Sequence, residues 1–129
     1  MTSKKNAYLK KWFIVADHDI EAARMIIELN PIILDVACFH CQQAIEKYLK
    51  TFLTFHDQNF LKTHDIVALK NQCAKIDKDF AGFKFKNLYR YSVRARYPDG
   101  YIMPSLKETK VYFKLVKEIQ ELVQNKVRL

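Results

Sequence analysis

Glycine and proline are scarce in this chain, two and three among 129 residues. So few turn formers argue against a β-sandwich or barrel and for a small number of long helices. No apolar run approaches the roughly 20 residues that cross a bilayer, so no membrane span is expected. The first residues, Met1-Thr2-Ser3-Lys4-Lys5-Asn6, lack the apolar segment of a secretion signal. Cysteine is limited to three, an odd number at irregular spacing. That suits a reducing compartment and a cytoplasmic protein. Gly-x-Ser-x-Gly, P-loop and His-Glu-x-x-His patterns are all missing, which removes the commonest hydrolase, NTPase and metalloprotease signatures. Acids, finally, are absent from residues 80–98.

What is present is apolar and basic. Half the residues are hydrophobic, with nine Phe and seven Tyr, which excludes disorder. The length suits one domain, residues 1–129, with a real core. A net charge of +8 favours polyanionic partners such as RNA, nucleotides or an acidic protein face. The alternative is that 22 Lys and Arg solvate helix faces.

Helical periodicity runs through residues 6–29, where Leu9, Trp12, Phe13, Ala16, Ile20, Ala23 and Ile27 form one apolar arc. Lys10, Asp17, Glu21, Arg24 and Glu28 lie opposite. Asp19 breaks the pattern, projecting from the buried side, and a carboxylate there needs a cation or donor. Arg96 is the expected partner and Lys47 the second choice. A further strip, Tyr8, Val15, Ala22 and Ile26, exceeds what a small bundle buries and predicts a homodimer. Asn30-Pro31 ends the first helix.

The central helix spans residues 33–55. Cys41, Ala44, Ile45, Tyr48, Leu49, Phe52, Leu53 and Phe55 cover about half its circumference, wider than a surface helix needs. His40, Gln43, Lys47, Lys50, Thr51 and Thr54 face the other way. Gln42 and Glu46 sit at the boundary, one turn apart. A third, short helix follows Thr63 as N-cap, with Asp65 in its first turn suiting the helix dipole, and ends near Ile76. A basic fourth helix is expected over residues 85–96, where Lys86, Arg90 and Arg94 recur every four residues, interleaved with Tyr89, Tyr91 and Tyr97. Pro98-Asp99-Gly100 then makes a turn. The last helix opens with Ser105 as N-cap and Glu108 at N3, a capping box. The fold class is all-α: an antiparallel up-and-down bundle of four main helices plus a short one.

Chemistry has few places to reside. Cys38-Phe39-His40-Cys41 suggests a metal, but on a helix His40 points away from both cysteines and no second ligand pair exists. Buried free thiols are the better reading. The acid-free segment carries Lys84, Lys86, Arg90, Arg94 and Arg96. Arginine forks suit phosphate, and Tyr can stack on a base. The competing view is a solvated helix whose tyrosines pack inward.

These residues carry a resemblance. Trp12, Ala16 and Asp19, then Gln42-Gln43-Ala44-Ile45-Glu46-Lys47-Tyr48-Leu49-Lys50, then Lys62-Thr63-His64-Asp65, then Arg96-Tyr97-Pro98-Asp99, together resemble the HEPN (higher eukaryotes and prokaryotes nucleotide-binding) domain over nearly the whole chain. The resemblance implies a helical bundle that commonly dimerises and often works beside a small nucleotidyltransferase, as in toxin–antitoxin or stress-related systems. One branch of the family comprises metal-independent ribonucleases, marked by Arg, four to six residues, then His. That spacing is absent: Arg24 is the only arginine before a histidine and stands 16 residues ahead of His40. The other branch, with Arg-Tyr-Pro in a loop, fits. It implies a non-enzymatic nucleotide-binding module without cofactor or metal. Gln42, Glu46, Lys47, Lys50, His64, Tyr91, Arg94, Arg96 and Tyr97 would form its anion site, ordered by Asp19 and Asp65. A ribonuclease using His64 as base and Arg96 for the developing charge is one alternative, and a protein-interaction bundle is another.

Overall fold

A computed structural model describes residues 3–92 and 103–129, and these are helical with no strand among them. The elements are α1 (Ser3–Leu29), α2 (Leu34–Phe55), α3 (Ile66–Ala74) and α4 (Leu106–Lys126), with two 3-10 helices, Lys78–Phe80 and Leu88–Tyr91, between α3 and α4. The all-α bundle expected from the periodicity is therefore what forms.

Helix α2 is the axis. Thirteen of its 22 residues are buried, because α1, α3, α4 and the second 3-10 helix all pack on it. Helix α1 runs antiparallel to α2. Its first turn reaches the far end of α2, where Lys5 Nζ donates to the Phe55 carbonyl at 3.1 Å and pairs with Asp57. Helix α4 runs alongside α2 in the same direction: Thr109 meets Cys38 near both N-termini, at 3.5 Å, and Gln120 lies level with Tyr48. Gln120 Nε2 and the Tyr48 hydroxyl both donate to Asp17. Asp17, expected to face solvent, instead ties the three long helices together. Thr51 also departs from expectation: it is fully buried, and its hydroxyl is satisfied by the Lys47 carbonyl one turn back, at 2.7 Å.

Two local readings change. The N-cap of α3 is Asp65 rather than Thr63: Asp65 Oδ1 accepts from the N–H groups of Val67 and Ala68, at 3.0 and 3.2 Å. Thr63 acts one step earlier, its hydroxyl accepting from the Asp65 N–H. In the basic segment a turn at Lys86, which takes φ 53°, leads into the short 3-10 helix Leu88–Tyr91 instead of an α-helix. The cause lies in the apolar spacing. Phe85, Leu88 and Tyr91 recur every three residues and are all buried, matching the three-residue turn of a 3-10 helix. The four-residue stripe of Lys86 and Arg90 therefore does not form. The remainder of that expected helix, with Arg94, Arg96, Tyr97 and the Pro98-Asp99-Gly100 turn, lies outside the described residues.

The three thiols, Cys38, Cys41 and Cys73, are free and fully buried in the core. Among the described residues no helix is long and apolar enough to cross a membrane. The fold thus leaves its chemistry to one edge of α2.

Candidate functional site

Gln42, Glu46 and Lys50 stand four residues apart on α2 and so form a ladder along one edge. Glu46 is its centre. Its side chain is 7% exposed, so its charge needs partners, and it has three. Lys50 Nζ donates to Oε2 at 3.0 Å, while His64 Nδ1 and Gln42 Nε2 donate to Oε1 at 3.0 and 3.4 Å. Gln42 Nε2 also reaches the His64 carbonyl at 2.8 Å.

Since both of its neighbours are acceptors, the Gln42 amide nitrogen must face them, and Oε1 points the other way. That oxygen is buried without a hydrogen-bond partner among the described residues. Likewise the carboxylate can only accept, so His64 Nδ1 carries the proton and a neutral ring keeps Nε2 as an acceptor. The His64 side chain is 55% exposed, which leaves Nε2 open.

The connection between α2 and α3 delivers His64. It returns along α2 from Asp57, whose φ of 56° makes the reversal. Gln72 of α3 then clamps it, donating to the Asn59 carbonyl at 2.7 Å and accepting from the Leu61 N–H at 3.3 Å. Phe60, on this connection, lies under Lys50 Nζ, 5.0 Å from the ring centroid, a cation–π contact.

A second cluster joins α1 to α2. Asp19, 7% exposed, accepts from His40 Nδ1 at 2.8 Å and from Lys47 Nζ at 2.5 Å. His40 and Lys47 are seven residues apart, hence on one face of α2. The buried carboxylate is therefore met by the second-choice partner and by a histidine that sequence reasoning assigned to solvent. Arg96, the first choice, lies outside the described residues.

Of the sequence-derived set, Gln42, Glu46, Lys50 and His64 come together, with Lys47 and Asp19 beside them and Asp65 holding the connection. Tyr91 does not join them. It is buried against Tyr112 of α4, with its hydroxyl 3.4 Å from Glu108, and burial with the Glu108 charge pushes its pKa up to about 12. Of the acid-free segment, Lys84, Lys86, Tyr89 and Arg90 are exposed.

The HEPN domain's family model matches residues 9–126. The chain belongs to the HEPN domain family. No curated protein and no solved structure matches it. HEPN modules are of nucleotide-binding or ribonuclease type and often dimerise. In this HEPN domain the α2 edge has a neighbour that periodicity missed. A groove of about 330 Å³ between α1 and α2 is lined by Tyr8, Lys11, Trp12 and Val15 on one side and by Glu46, Lys47 and Lys50 on the other. Trp12 counted as core because it falls on the apolar arc of α1. The signal that could have flagged it was its setting, directly after Lys11 and one turn after Tyr8, together with the apolar pair Phe60-Leu61 in an otherwise polar connection.

Proposed function

We propose that this HEPN domain is a non-enzymatic nucleotide- or RNA-binding module that serves as the partner subunit of a small nucleotidyltransferase. The observation that carries this reading is the Glu46 cluster. Glu46 and Asp19 are held by donors inside the protein, so they order the edge of α2 without presenting free negative charge. Lys11 and Lys62 have no acidic partner among the described residues, and the exposed Lys84, Lys86 and Arg90 add to the basic surface. An ordered edge beside surplus cations suits phosphate. Arg94, Arg96 and Tyr97 would extend the anion site, as the family resemblance implies. Titration of the purified protein with nucleoside phosphates and short RNAs at low salt tests this. Binding that weakens for Lys50→Ala and for Arg94→Ala with Arg96→Ala is the expected result, and its absence removes the reading. Co-purification with a nucleotidyltransferase encoded nearby tests the partner.

One observation favours a second reading. The Glu46–His64 pair orients a half-exposed imidazole in a depression that Lys50 and Lys62 also line, the arrangement of a general base. Metal-free cleavage of RNA that disappears with His64→Ala would make the module a ribonuclease.

A further inference from the structure

The groove beside Trp12 continues beyond its first stretch. It shares Lys50 with a second depression of about 300 Å³ bounded by Phe60, Lys62 and His64. Phe60 and Lys62 in turn border a third stretch of about 710 Å³ that returns to Tyr8 and Lys5. The whole channel is open to solvent and carries five lysines against two carboxylates, Glu46 and Asp57. Its aromatic lining is contiguous. Tyr8 meets Trp12 with ring centroids 6.1 Å apart, and Trp12 meets Phe60 at 5.9 Å. Both contacts are edge-on, at 62° and 60°, so neither neighbour stacks flat on the indole. Tyr8 is half exposed.

We infer that this channel binds single-stranded nucleic acid, with an unpaired base stacked at Trp12 and Tyr8 and the flanking phosphates on Lys11 and Lys62. The inference rests on the reading above that the module binds nucleotide or RNA, and it names the subsite and the form of the ligand. Three features support it together. The slot at Trp12 is walled mainly by apolar groups but rimmed by ammonium groups, which fits a neutral flat base joined to an anionic backbone. Lys11 and Lys62 lack acidic partners, so nothing in the described fold neutralises them. The third stretch alone matches a full small-molecule pocket in size, so with the two stretches that adjoin it the channel offers more room than one nucleotide fills. A duplex keeps its bases stacked inside and offers none to the indole.

Trp12 is the only tryptophan, so its fluorescence reports the slot directly. The test titrates the full chain, at low salt, with a 12-mer of uridines, uridine monophosphate, inorganic pyrophosphate and a duplex RNA of equal length. The expected result is saturable quenching by the 12-mer, weaker quenching by the mononucleotide, and none by pyrophosphate or duplex. Tyr8→Ala should weaken the 12-mer roughly five- to a hundredfold, the scale of one lost stack. Lys11→Ala with Lys62→Ala should flatten the dependence of log affinity on log salt by about 0.7 per lost phosphate contact. Trp12→Phe, checked for an unchanged helical spectrum and followed by anisotropy of a labelled 12-mer, guards against loss by misfolding. If the 12-mer binds without quenching and ignores these substitutions, this subsite is wrong while the nucleotide-binding reading stands. If nothing binds, both fall. Stronger binding of the mononucleotide than the 12-mer overturns the strand. A dimer that Val15→Glu dissociates, with no quenching by any ligand, identifies a second copy as the occupant and also overturns it.

Discussion

Asp19 owes its place to two donors from the neighbouring helix. Its side chain is 10% exposed, against 29% for Lys47 and 27% for His40. The carboxylate is therefore the group that cannot do without its partners. Asp19→Asn keeps the size, offers a single weak acceptor, and leaves Lys47 and His40 competing for it. We expect a loss of about 1–3 kcal/mol, the scale for a buried polar group left poorly paired, read as a lowered urea midpoint at unchanged slope. A midpoint equal to that of the wild type would mean the pair contributes nothing. The thiols give a second expectation. Burial pushes Cys38 up to about 11 and Cys73 to about 12, from an ordinary value near 9. The folded state thus holds protons that the unfolded chain releases between pH 9 and 12. By linkage this contribution is full below pH 9 and is lost as the pH rises through that window. Stability should fall there, and all three thiols should resist alkylation at pH 8 until denaturant is added.

The connection into α3 behaves as one device at the level of elements. Asp65 caps α3 while the preceding residue, His64, engages Glu46. Asp65→Ala should cost about 1 kcal/mol, as for other lost N-caps. It should also loosen the His64–Glu46 contact, seen as a change in the His64 ring-proton chemical shifts by NMR at fixed pH. Ring-proton shifts identical to the wild type would separate the cap from the site. Here the sequence was readable to different depths. Residues of α1, α2 and α4 follow a 3.6-residue period, and α4 adds an N-cap in Ser105, whose hydroxyl accepts from the Glu108 N–H at 3.0 Å, so those helices were legible to within a few residues. The segment around Leu88 was not, because charge and packing there follow different periods: four for Lys86 and Arg90, three for Phe85, Leu88 and Tyr91. Packing prevailed. The Gln42–Glu46 ladder was legible from spacing within one helix. His40 on Asp19 was not, because angular position on an isolated helix says nothing about what a neighbouring helix brings up to it.

For the molecule as a whole, the two most exposed large apolar side chains lie where α1 ends. Met25 and Leu29 of α1 are 45% and 74% exposed, and Ile32 in the following turn is 78% exposed. Ile26, counted in the sequence as part of a dimer strip, is instead partly buried against the core. A homodimer, if formed as family members often do, should therefore use the Met25–Ile32 end of the bundle, leaving the Trp12 channel open. Light scattering at micromolar concentration should give twice 15.3 kDa, and Leu29→Glu with Ile32→Glu should return it to the monomer mass. A wild-type monomer would refute this arrangement. Gln42 carries a different consequence. Its Oε1 is an amide carbonyl that no donor polarises among the described residues, and such a carbonyl stretches at a higher frequency than a bonded one. An isotope label at that single side chain would give the α2 edge its own infrared band, set apart from the helical backbone. Because Gln42 is fully buried, only a rearrangement inside the protein that brings a donor to this oxygen should pull that band down.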